Sequence, residues 1–211
     1  MVLRHVPKIQ LLHISLSLEH KIKIPRRTTL ESLRYLHIES SDNESQHSTR
    51  RLQIYELLRQ APKIDTLVIQ VARLSMPADL LGLENDKCLK LINTFVSPRF
   101  LTMILNTCPQ LESFIFSYFA RESIWSITPK TLPQVLSVRQ ETLRYLEFYW
   151  KPDPVDDSGI EIVGSFKDLT NLETLVLCGP GFRFEKAENK KTLKTCLVNL
   201  LPQSIRSVTI D

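Results

Sequence analysis

One phrase, apolar–any–any–apolar–any–apolar, recurs seven times along the chain. The copies are Ile9/Leu12/Ile14, Leu33/Leu36/Ile38, Ile64/Leu67/Ile69, Leu111/Phe114/Phe116, Leu143/Leu146/Phe148, Leu172/Leu175/Leu177 and Ile205/Val208/Ile210. Recurrence of this kind restricts the fold more than composition does. A short unit cannot bury its apolar stripe alone, so successive units must stack and share one continuous core. Successive copies begin 24, 31, 47, 32, 29 and 33 residues apart. The long gap marks residues 73–97 as an insertion or a degenerate copy.

Each copy ends in strict alternation, as in Leu36-His37-Ile38 and Leu175-Val176-Leu177. Period two places the apolar pair on one face of a short strand. Strands about 30 residues apart cannot pair through tight hairpins; crossovers of that length imply a parallel sheet. Apolar spacing suggests helices over 51–58, 98–105, 133–138, 158–166 and 190–201, with Ser158 and Glu161 at capping-box spacing. Within the long gap, residues 85–96 also have helix-like apolar spacing. Pro62, Pro109 and Pro202 stand just before a strand copy and mark the corner where a helix must end. The expected fold is therefore α/β: one solenoid over 1–211, horseshoe-like, with an inner parallel sheet, outer helices and about seven irregular repeats. Residues 39–49, ESSDNESQHST, are too polar to pack and read as a mobile loop.

The chain has 211 residues and a net charge of +4. Ten Lys/Arg against six Asp/Glu in the first 60 residues place that excess near the start. This balance is too mild, and too poor in interleaved aromatics, to indicate nucleic acid. No apolar run is long enough to span a membrane, and no signal-peptide core follows Met1. Cys88, Cys108, Cys178 and Cys196 are scattered without CxxC spacing, as expected of reduced thiols in an intracellular protein, cytoplasmic or nuclear.

A search for chemistry finds none. There is no GxSxG, GxGxxG or HExxH, and the Gly159-to-Gly164 segment lacks the lysine a phosphate loop needs. Asp153, Asp156 and Asp157 do not match a calcium loop. The expectation is a non-enzyme with no catalytic residue, cofactor or metal. His13 and His37 occupy equivalent strand positions and could be neighbours, with Glu39 close by. The simpler reading makes them two surface histidines that lower each other's pKa.

Variable strand positions should face the open side of the sheet. Tyr35, His37, Val68, Ile115, Tyr145, Glu147, Tyr149 and Val176 are the candidate partner-binding residues there. A mixed face of this kind, with tyrosines and no pocket, suits a protein or peptide better than a metabolite.

The corner-plus-strand phrases NTCPQLESFIF, RQAPKIDTLVIQ and LTNLETLVLCG resemble the irregular leucine-rich repeats of F-box proteins, especially the fungal kind, from about Pro7 to Asp211. That resemblance implies the substrate-recognition region of a ubiquitin ligase receptor. No F-box is visible, so a Skp-type adaptor and a cullin are expected as partners only where an F-box is present. The first copy starts at residue 9 and the last ends at residue 210, which leaves no room for polar end caps. The expectation is a repeat region belonging to a longer protein. The alternative is a leucine-rich scaffold or regulator, for example of a small GTPase, unrelated to ubiquitination.

Overall fold

The computed structural model describes residues 8–16, 29–40, 51–52, 55–70, 73–74, 82–94, 96–119, 127–151, 161–180, 182–184 and 196–211. Its centre is an open sheet of eight parallel strands. These are β1 (Leu11–Leu16), β2 (Tyr35–Ser40), β4 (Thr66–Gln70), β6 (Cys88–Ile92), β7 (Ser113–Phe119), β8 (Tyr145–Lys151), β10 (Thr174–Cys178) and β12 (Ser207–Ile210). Their spatial order is their order in the chain. Two small parallel ladders lie outside it: β3 (Arg51–Leu52) with β5 (Arg73–Leu74), and β9 (Glu161–Ile162) with β11 (Phe182–Arg183).

The register explains why the phrase recurs. Its second apolar positions align as Leu12, Leu36, Leu67, Leu89, Phe114, Leu146, Leu175 and Val208. The third positions align as Ile14, Ile38, Ile69, Leu91, Phe116, Phe148, Leu177 and Ile210. Both rows are buried from β1 to β10 and become exposed only at β12. Each buried aliphatic side chain contributes about 1.5–3 kcal/mol, so the two rows dominate the core. An aromatic cluster thickens it. Phe116 stacks on Phe148 at 5.7 Å, and Phe148 meets Trp150 at 5.9 Å and the edge of Phe182 at 5.6 Å.

The strand face can be tested directly. Leu175→Ala is expected to cost ~2–5 kcal/mol, because Leu175 is fully buried. Val176→Ala, on the half-exposed side of the same strand, is expected to cost no more than ~0.5–1 kcal/mol. Urea denaturation of both variants checks this; equal losses would contradict the assignment of faces.

A third row lies at the mouth of the strands. The carbonyls of Gln10, Arg34, Asp65, Lys87, Glu112, Arg144 and Glu173 each accept two amides from the following unit, for example Lys87 O from Glu112 N and Ser113 N. These residues and Arg206 alternate in charge from Arg34 onward: Arg34, Asp65, Lys87, Glu112, Arg144, Glu173, Arg206. Lys87 Nζ lies 3.7 Å from Glu112, and Glu173 accepts both Arg144 (3.4 Å) and Arg206 (3.2 Å). Exposed pairs contribute little each, but like charges brought opposite each other by a slipped register would repel.

Three expectations change. The described residues of 85–96 are not helical: β6 occupies 88–92 and joins the main sheet between β4 and β7. Its phrase was hidden because Asp86 stands where the other copies carry Leu or Ile. Residues 161–166 are not helical either; β9 lies there. Gly164 donates its amide to Pro129 O, and a Cβ on it would come within 2.6 Å of Lys130 O. That glycine serves a close backbone approach, not a helix. Ser158 and its cap fall outside the described residues.

Helices are also sparser than expected. Among the described residues they are α1 (Tyr55–Gln60), α2 (Pro98–Asn106) and α3 (Leu132–Leu136), the last running into a 3-10 turn at Ser137–Arg139. The helical turn at 196–198 is all that is described of the 190–201 expectation before 199. Helix α2 has the clearest local cause. Pro98 begins it, Ser97 Oγ accepts the Phe100 amide at 3.2 Å, and Leu101, Ile104 and Leu105 form its buried stripe. Of the polar segment 39–49, Glu39 and Ser40 belong to β2, and the rest, like Asp153, Asp156 and Asp157, lies outside the described residues. No described helix is long and apolar enough to cross a membrane. No disulfide joins the four cysteines.

Candidate interaction face

Alternation along the strands leaves one side of the sheet with half-exposed side chains while the other is packed. Three registered rows cross that side. The first runs Leu11, Tyr35, Thr66, Cys88, Ser113, Tyr145, Thr174, Ser207. The middle row is His13, His37, Val68, Lys90, Ile115, Glu147, Val176, Thr209. The last is Ser15, Glu39, Gln70, Ile92, Ser117, Tyr149, Cys178.

All eight candidate residues lie on this side, and seven of them, Tyr35, His37, Ile115, Tyr145, Glu147, Tyr149 and Val176, are partly exposed. Val68 is the correction: only 3% of its surface is accessible. It is flanked in register by His37 and Lys90, whose longer side chains leave a valine little room to be reached. Val68 and Ile115 are also not neighbours, because Lys90 stands between them.

The residues missed in sequence are Cys88, Lys90 and Ile92, which β6 contributes. The available signal was the alternation Leu89-Lys90-Leu91, masked by the acidic residue three positions earlier. Lys90 places a cation in the middle of the face, two strands from Glu147.

The strand β8 carries the best-defined polar group. Tyr145 donates its hydroxyl to Glu147 Oε2 at 2.7 Å. Burial, then the hydrogen bond and charge of Glu147, push its phenol pKa up to about 12. Tyr145 therefore stays protonated and keeps donating across the physiological range. Cys88 and Cys178 have thiol pKa values raised chiefly by burial. Cys108 is raised further for the same reason and lies in the core. Nucleophilic thiolates need the opposite shift, so these cysteines have the character of packing residues.

At the β1–β2 end the imidazoles of His13 and His37 stack with centroids 4.2 Å apart and planes 10° from parallel. Glu39 Oε2 lies 3.3 Å from His13 Nε2. The His37 pKa is lowered by burial first and by His13 second, while Glu39 and the Gln70 side chain oppose the shift.

Chemically, the face offers apolar area, hydroxyls and charges of both signs spread over eight strands. That arrangement is suited to contact with an extended surface. No protein-family model matches the chain, and no curated protein matches it.

Proposed function

We propose that this chain is a non-catalytic binding module of leucine-rich-repeat type, whose open sheet face docks a protein or peptide. One observation carries the reading. Half-exposed residues run in register across consecutive parallel strands from Tyr35 to Val176, with Tyr145 and Tyr149 on the same face of β8 to either side of Glu147. Tyrosines in a continuous, partly apolar patch are the residues that most often anchor a protein partner. Sequential strand order, parallel pairing and the eight aligned phrases support a stacked solenoid.

The resemblance to F-box repeats refines the proposal: the partner is a substrate delivered to a cullin ubiquitin ligase. A leucine-rich scaffold without a ligase role is the second reading.

A photo-crosslinking amino acid at Tyr145 or Tyr149, in protein expressed in its own cells, is expected to yield a discrete adduct. The same group at Glu112, outside the face, is expected to yield none. Adducts only from Glu112, or none from the face, would overturn docking there. Skp-type adaptor and cullin in the purified complex would support the ligase reading; a defined partner without them would support the plain scaffold.

A further inference from the structure

The sequence places His13 and His37 on adjacent strands with Glu39 close by; the fold adds a particular geometry. β1 and β2 pair with His13 directly opposite His37, and Glu39 follows two residues later on the same side of β2. One ligand atom from each of the three lies within 4.8 Å of the other two. Zinc and its neighbours bind imidazole nitrogen and carboxylate oxygen at about 2.0–2.2 Å, so donors around one tetrahedral ion stand roughly 3.3–3.5 Å apart. The 3.3 Å separation of His13 Nε2 and Glu39 Oε2 already meets that requirement.

Two further observations concern His37. Its Nε2 atom is buried and has no hydrogen-bond partner among the described residues. A buried polar atom without a partner is unfavourable, and a bound ligand removes that cost. The Gln70 side chain, in register with Glu39 on β4, hydrogen-bonds the same imidazole. The stacked imidazoles hold their in-plane lone pairs nearly parallel, so closing on one ion requires the exposed His13 ring to turn out of the stack.

We propose that His13, His37 and Glu39 form a site for one divalent transition-metal ion of the zinc class, with Gln70 as the positioning residue. Two imidazoles and one carboxylate suit zinc, cobalt, nickel or copper rather than calcium or magnesium, which prefer all-oxygen sets. Three protein ligands leave a fourth position open at the edge of the interaction face. A residue of the docked partner or a water would complete the ion there.

The test uses the whole chain stripped with a chelator. Zn²⁺ is titrated in against a chromophoric competitor, and Cu²⁺ is added separately for electron paramagnetic resonance. One equivalent of Zn²⁺ is expected to bind, and the Cu²⁺ spectrum to show coupling to two nitrogens. His13→Ala and Glu39→Gln are expected to weaken Zn²⁺ binding roughly tenfold or more, and Gln70→Ala to weaken it measurably. His13→Ala is expected to reduce the copper coupling to one nitrogen. His13 is exposed, so its variant should melt like the parent and the loss is not one of folding. A His5→Ala/His20→Ala/His47→Ala triple variant is expected to bind as the parent does. Absence of binding, binding unaffected by His13→Ala and Glu39→Gln, or loss in the triple variant alone would each overturn the proposal.

Discussion

The parent protein is expected to lose stability between pH 5 and pH 9, and asparagine in place of Asp86 is expected to abolish most of that loss. Asp86 is fully buried and neither carboxyl oxygen makes a hydrogen bond of good geometry among the described residues. Burial first, and the nearby charge of Asp65 second, raise its pKa from 3.8 to about 9; the Cys88 and Leu67 amides pull weakly the other way. The folded state therefore holds a proton that the unfolded chain has released. Stability from this group is whole below pH about 4, falls as pH rises, and is gone above pH about 9. At about 1.4 kcal/mol per unit, the loss at pH 7 is on the order of 4 kcal/mol. This is large against a typical domain stability of about 5–15 kcal/mol. Asparagine keeps the shape and cannot ionise; leucine would restore the apolar phrase but adds volume to a closed site. Urea midpoints for parent and Asp86→Asn across pH 5–9 should converge at the acid end and diverge by several kcal/mol toward the alkaline end. Parallel curves would show that Asp86 is not the buried acid.

Phe148→Ala is expected to destabilise the protein by ~3–5 kcal/mol, the largest loss among single truncations considered. The ring is fully buried and touches Phe116, Trp150 and Phe182. Phe182 borders the small β9–β11 ladder, so the ring joins the main sheet to a second layer. Its removal leaves a cavity walled by rigid aromatics, which cannot close around it without moving strands. Phe148→Leu should recover part of the loss. A decrease below about 1 kcal/mol for the alanine variant would mean that these rings are not packed on one another.

Particular residues show how far the sequence could be read. Leu36, Leu175 and Phe148 announced their strands because alternation is a local property and needs no partner to be visible. The parallel arrangement followed from spacing. Strand β6 escaped because one position, Asp86, broke the phrase, and the penalty for that acid is borne by packing that cannot be seen locally. Helix was overestimated at 161–166, the described part of the 158–166 stretch, because apolar spacing around Gly159 and Gly164 mimicked a helical face. The actual constraint at Gly164 is a carbonyl on another segment.

The candidate face was half legible. Parity along each strand assigned Tyr35, Tyr145 and Val176 correctly to the half-exposed side, whereas Val68 is buried between its neighbours. The charge ladder from Arg34 to Arg206 was invisible until the strands were aligned. Its members lie 22 to 33 residues apart and have no local pattern.

By itself, then, the sequence determined where seven of the strands lie, which side of each is apolar, and that the sheet is parallel. These properties depend on period and spacing within one short stretch of chain. Only the tertiary structure decided the eighth strand, the burial of Asp86, the order of charges at the strand mouths, and the stacking of His13 on His37 beside Glu39. Each of these is a relation between separate strands, set by the one register that buries both apolar rows at once.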